Sequence, residues 1–216
     1  MLSNQIVTFE TVGGEGAKLS NFKPVDEDGQ PLSNEISVQL YSNRGAKTAE
    51  YTWTLGEDID EGFEDGWYDE NQDEPKDCEL PLGQGFLTYT TYANGSLVYS
   101  GEVDVKEIAI PVPRLLSFTG NIRPCEIKLS DLTTVDENDD PISNEISVQF
   151  YNERGQKTAE YTWALGEDID EGFADGWYDE NQDEPKDVIL PAGRGFCTYT
   201  TYEGGYLKFP AIKAAN

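Results

Sequence analysis

The chain of 216 residues contains no histidine, which removes the side chain most used as a general base and as a transition-metal ligand. Basic residues are scarce: 15 Lys and Arg stand against 42 Asp and Glu, for a net charge of -27. A surface of that sign repels nucleic acid at long range, so no nucleic-acid groove is expected. Apolar runs are short. None approaches the length needed to span a bilayer, and the opening residues MLSNQIVTFETVGG lack the basic and apolar regions of a secretory signal. Neither membrane insertion nor signal-directed secretion is expected. No P-loop, dinucleotide-binding glycine pattern or nucleophile elbow occurs.

Cysteine is also sparse, at three residues: Cys78, Cys125 and Cys197. What the chain does contain explains two of them. Residues 34–97 recur at 144–207 with 50 identities in 64 positions, all at an offset of 110. Within that repeat Cys78 matches Val188, and Cys197 matches Leu87. Cysteine therefore interchanges with apolar residues, as a small buried hydrophobe does. The sequence predicts three free thiols and assembly in a reducing compartment. It also predicts two tandem modules, 1–110 and 111–216, with Pro111-Val112-Pro113 as a stiff joint.

Twelve Tyr, nine Phe and four Trp argue that the chain folds despite its charge. The pattern is that of strands. EISVQLY, residues 35–41, alternates Ile36, Val38 and Leu40 with Ser37, Gln39 and Tyr41. Gly45 suits the left-handed position of a short bulged turn into a return strand at 48–55. Gln5 to Val12 and Leu115 to Phe118 read as opening strands, and Leu19–Phe22 and Leu129–Leu132 as short helical turns. Phe86 to Tyr92 and Leu97 to Val105 flank Asn94-Gly95, which predicts a tight hairpin, repeated around Gly204-Gly205. No helical period persists. The expected fold is all-β: two homologous β-sandwich or barrel-like modules with long acidic inserts.

Those inserts are the most distinctive stretches. GEDIDEGFEDGWYDENQDEPKD, residues 56–77, recurs at 166–187 with one change, Glu64 becoming Ala174, and together they hold 21 of the 42 acids. Asp69, Asn71 and Asp73 have the spacing of a calcium loop, with Asp77 at its ninth position, but Glu74 replaces the sixth-position glycine and Leu80 the twelfth-position glutamate. A solvated acidic face is the simpler reading, with calcium as the one cofactor to test for. Two carboxylates about 5–9.5 Å apart would suit glycoside cleavage, but so many acids guarantee such a pair by chance. Trp67 with Tyr68, and Trp177 with Tyr178, are the candidate interaction residues; Gly66-Trp67-Tyr68 is expected to pair as a strand.

Tyr51–Trp53, Asp65–Asp69 and Leu80–Phe86, repeated as Tyr161–Trp163, Asp175–Asp179 and Leu190–Phe196, resemble a Gly/aromatic β-module of uncharacterised phage virion and bacterial surface proteins. The resemblance implies no catalytic residue. With the absences above, it implies a non-enzymatic phage structural protein, on the capsid exterior or in the tail. Such a protein would be made in the host cytoplasm, built into the virion in many copies, and partnered by other virion proteins or by itself. The alternative is a secreted or surface calcium-dependent or carbohydrate-binding module.

Overall fold

A computed structural model describes residues 5–7, 17–42, 44–81, 83–99, 105–152 and 154–212. The first half contains strands β1 (Gln5–Val7), β2 (Ala17–Lys18), β3 (Phe22–Val25), β4 (Ile36–Tyr41), β5 (Lys47–Thr54), β6 (Gly66–Tyr68), β7 (Glu79–Leu80), β8 (Phe86–Thr90) and β9 (Ser96–Tyr99). The second contains β10 (Ile108–Val112), β11 (Leu115–Gly120), β12 (Ile127–Lys128), β13 (Thr133–Val135), β14 (Ile146–Tyr151), β15 (Lys157–Ala164), β16 (Gly176–Tyr178), β17 (Ile189–Leu190), β18 (Gly195–Thr200) and β19 (Gly205–Phe209). The fold is all-β. Among the described residues, no helix is long and apolar enough to cross a membrane.

Pairing repeats at the sequence offset. A five-stranded antiparallel sheet runs β1-β8-β4-β5-β6 in the first half and β11-β18-β14-β15-β16 in the second. Short pairs, β2-β7 and β12-β17, accompany them. The alternation in β4 works as expected: Ile36 and Val38 enter a core with Trp53, Trp67 and Phe86, while Gln39 and Tyr41 occupy the other face. The β4–β5 register shifts at Leu40/Tyr41, and Gly45 takes φ 73°, which gives the bulged turn read from the sequence. The helical turns are 3-10 segments, Leu19–Asn21 and Leu129–Asp131. The Asn21 and Asp131 side chains accept from the Lys18 and Lys128 backbone N–H groups at 2.9 Å. Each half has its own apolar cluster, one around Leu19, Phe22 and Phe86 and one around Leu129, Leu132 and Phe196.

Three expectations change. First, Asn94-Gly95 does not close a hairpin. β8 pairs with β1 and β4, while β9 pairs with β3; the chain turns a corner from one sheet to another. The second half does the same, β18 pairing with β11 and β14, and β19 with β13 and β10. Asn94 and Gly204 take positive φ, of 66° and 84°, but Gly95 and Gly205 do not. They are glycines for space: a Cβ on Gly205 would lie 2.8 Å from Ile146 Cδ1, and one on Gly95 3.1 Å from Leu32 Cδ1. Second, Pro111 is not in a free joint. It lies in β10, opposite Tyr206, so a boundary between 110 and 111 cuts a strand that belongs to the second half. Proline is tolerated because β10 is an edge strand. Third, the opening strand expected over Gln5–Val12 is seen as Gln5–Val7; residues 8–12 lie outside the described residues, as do residues 100–104 of the expected Leu97–Val105 strand.

The corner turn makes Gly205→Ala a sharp test. The new methyl must displace Ile146, and overpacking of this kind costs about 1–3 kcal/mol. The unfolding free energy of the variant, read from the urea midpoint at unchanged slope, is expected to fall by that amount; an unaltered midpoint contradicts the packing.

Candidate functional site

The acidic inserts are closed structures. Trp67 and Tyr68 do pair as a strand, in register with Trp53 and Thr52 on β5. This divides each insert into two lobes. The first, Gly56–Asp65, is pinned at its neck: the Gly56 N–H donates to Asp65 Oδ1 at 2.9 Å, and a Cβ on Gly56 would fall 2.0 Å from the Phe63 carbonyl oxygen. The second, Asp69–Lys76, is closed by the Lys76 N–H donating to the Trp67 carbonyl at 2.6 Å, with Pro75 packed on Gly66. Residues 166–187 repeat these contacts, Gly166 donating to Asp175 at 2.9 Å and Lys186 to Trp177 at 2.7 Å.

Trp67, Tyr68, Trp177 and Tyr178 are therefore not surface contacts: each is at most 2 % exposed. The Trp67 indole N–H donates to the Phe22 carbonyl at 3.0 Å, and that of Trp177 to Leu132 at 2.9 Å. Their rings stand edge-on to Trp53 and Trp163 at 5.6 and 5.9 Å. The Tyr68 and Tyr178 hydroxyls donate to the backbone carbonyls of Glu64 and Ala174. Because the bond is to backbone, the one substitution between the inserts leaves it intact. Of the aromatics in the first insert, Phe63 reaches solvent, at 37 % exposed.

The calcium-like turn is filled by the protein's own cation. Lys76 Nζ lies 3.8 Å from Asp69, 3.3 Å from Asp73 and 3.4 Å from Glu74; Lys186 repeats this with Asp179, Asp183 and Glu184. The hydrogen bond from Lys76 holds the Asp73 carboxyl below its usual range, and Lys186 does the same for Asp183. Asp69 Oδ1 accepts from the Asn71 N–H at 3.0 Å, an ordinary turn contact. Among the described residues, no three carboxylate or thiol side chains converge in a way that could hold a metal ion.

On the sheet behind the inserts a polar ladder recurs. Glu160 accepts from Ser147 at 3.0 Å and Gln149 at 2.8 Å and pairs with Lys157; Glu50 is bound by Ser37, Gln39 and Lys47. Burial raises the Glu160 pKa, but the bonds from Lys157, Gln149 and Ser147 outweigh it, so the net shift is below the ordinary 4.5.

The sequence did not point to a groove of about 830 Å³ between the halves. Its lining includes Leu87 from the first half, Leu116, Phe118, Tyr151 and Cys197 from the second, and the exposed Arg154 and Arg194. The halves touch beside it: Phe118 packs on Tyr41 at 5.1 Å, and the Gly85 N–H donates to the Phe118 carbonyl at 2.7 Å. A signal existed. Four of the ten groove residues that lie in the second copy (Asn152, Ala192, Arg194 and Cys197) differ from their counterparts in the first, against 14 in 64 across the repeat. An apolar floor with two guanidiniums can hold an apolar group bearing a carboxylate. Beside it, buried Asn121 donates to the carbonyls of Cys125, Leu190 and Pro191, and buried Arg123 to those of Lys106, Phe209 and Pro210.

Two outcomes follow from these environments. Cys125 is exposed, Cys78 half-buried and Cys197 buried, with desolvation pushing the Cys197 thiol up to about 12. Thiol titration of the unreduced native protein should label Cys125 fast, Cys78 slowly and Cys197 only on unfolding, and the denatured protein should yield all three. A denatured count of one contradicts free thiols. For Glu160, a depressed folded pKa means stabilisation that is present above the unfolded value and lost as pH falls through the folded one. The stability advantage of the wild type over Glu160→Gln, read from urea midpoints, should be full at pH 7 and shrink below pH 4.5. A pH-independent difference contradicts the assignment.

Comparison of the chain with protein-family models, with curated proteins and with solved structures found no match in any of the three.

Proposed function

We propose that the chain is a non-enzymatic structural protein of a phage virion, a capsid decoration or tail component that docks on other virion proteins or on its own copies. The observation that carries this reading is the segregation of charge. Half of the acids sit on two inserts whose first lobes are pinned by a backbone N–H donating to an aspartate carboxylate and whose second lobes are closed by a backbone bond, so a strongly negative surface is displayed in fixed geometry. Fixed like charge resists collapse onto neighbouring copies and onto nucleic acid, which suits either a particle exterior or a channel through which DNA slides. The groove between the halves supplies the opposite chemistry, apolar and cationic, as a docking surface needs. Assembly would take place in the host cytoplasm, with many copies per particle.

The calcium or carbohydrate module gains no comparable support. The tryptophans it would stack on sugars are in the core, and a lysine ammonium stands where its cation would go.

The direct test is quantitative mass spectrometry of washed, gradient-purified particles of the phage that encodes the chain. The expected result is a copy number in proportion to the capsid or tail proteins. Absence from the particles, with the chain present in the infected-cell lysate, rejects the reading.

A further inference from the structure

The two smaller sheets differ by one strand. β19 runs between β13 and β10. Its counterpart β9 pairs with β3, and among the described residues no strand lies along its other side. The core is less well sealed there: Leu207 is fully buried, whereas Leu97 at the matching position is only half-buried.

The backbone shows which groups face that side. Pro24 stands opposite Leu97. Proline has no N–H, and the Pro24 carbonyl accepts from the Leu32 N–H at 3.0 Å, pointing away from β9. The Pro24–Leu97 pair is therefore of the non-hydrogen-bonded kind, and in an antiparallel ladder the N–H and C=O of Leu97 then both face the outer edge. The second half repeats the geometry with the edge filled. Thr134 stands opposite Leu207, the Thr134 carbonyl accepts from the Ile142 N–H at 2.9 Å, and Leu207 meets Ile110 of β10 on its other side.

We propose that the outer edge of β9 is an acceptor for one extended strand of a partner protein, which completes this sheet as β10 completes the other. β10 states the chemistry required. The strand is antiparallel. It places branched apolar residues at alternate positions, as Ile108, Ile110 and Val112 do, and small or imino residues between them, as Ala109 and Pro111 do. Its central residue offers an N–H and a C=O to Leu97, and specificity comes from the alternate side chains that close over Leu97. The donor is a different protein rather than a second copy. The chain's own β10 is committed to β19 over five register pairs, with Ile110 and Val112 at most 4 % exposed, so a second copy would have to strip its own sheet. This surface is independent of the virion assignment and of the groove.

The probe is a capped synthetic peptide of residues 107–113, EIAIPVP, added to the full chain, with amide hydrogen exchange as the readout. The peptide is expected to slow exchange at Leu97 at least ~10-fold while leaving Leu207 unchanged. The same peptide N-methylated at Ile110 keeps the side chains but lacks the donor, and should bind about tenfold more weakly. Leu97 exchange that is unaffected by saturating peptide, or already slow in the free protein, overturns the proposal, as does an N-methylated peptide that binds equally well. Sedimentation of the chain alone should show no dimer at β9; a dimer that the peptide dissociates would make the occupant a second copy and overturn the choice of partner.

Discussion

The indole N–H of Trp67, reaching the Phe22 carbonyl across the core, anchors the strand on which each half depends, and Trp177 with Leu132 repeats it. An indole buried without an acceptor costs about 1–3 kcal/mol, so the bond fixes where the middle of the insert must lie. The consequences run in two directions. Inward, the carbonyl is presented by the strand that follows a 3-10 turn, so that turn, β3 and β6 share one geometry. Outward, a stretch of 22 residues becomes two lobes of about half that length, each closed at its own neck. Long structureless loops are unusual in compact proteins, and here the tryptophan removes the need for one.

Charge and fold are reconciled by the same division. The acids lie on lobes whose backbone groups bond within the lobe, so mutual repulsion acts on solvent-facing carboxylates and not on the sheet ladders. Lys76 and Lys186 each neutralise part of a lobe from within. The ladder acids Glu50 and Glu160 are different: they sit in the sheet and are held by hydroxyl, amide and ammonium donors, as a partly buried carboxylate must be.

Much of this was legible in the residues, and the misses have physical reasons. The alternation in EISVQLY and the left-handed Gly45 are local signals, and they held. Asn94-Gly95 misled because a local turn preference was read as a two-strand hairpin, whereas Gly95 is needed where the backbone crosses over Leu32 and Ile36 on its way to another sheet. The pairing of Gly66-Trp67-Tyr68 as a strand is legible in the sequence, but the burial of Trp67 and Tyr68 is not, because it comes from packing on Trp53 and from the distant Phe22 carbonyl, which no short window contains. Pro111-Val112-Pro113 looks like a stiff joint between the modules because two prolines restrict it, but the edge strand β10 accepts Pro111. The groove escaped because it joins residues from both halves, although the differences between the copies already clustered there.

The buried pair Asn121 and Arg123 bears on how such a chain finds its native pairing. Adjacent repeats this alike invite mispairing during folding, since a strand of one can substitute for its twin in the other. The segments before the repeat break that degeneracy. Where the second copy has Asn121 and Arg123, the first has Thr11 and Gly13. The carbonyls that receive the guanidinium come from Lys106, just before β10, and from Phe209 and Pro210 at the end of β19. An exchange of the two leading segments would carry the guanidinium away from those carbonyls. The polar pair thus works as an address label, and its cost falls on the wrong topology.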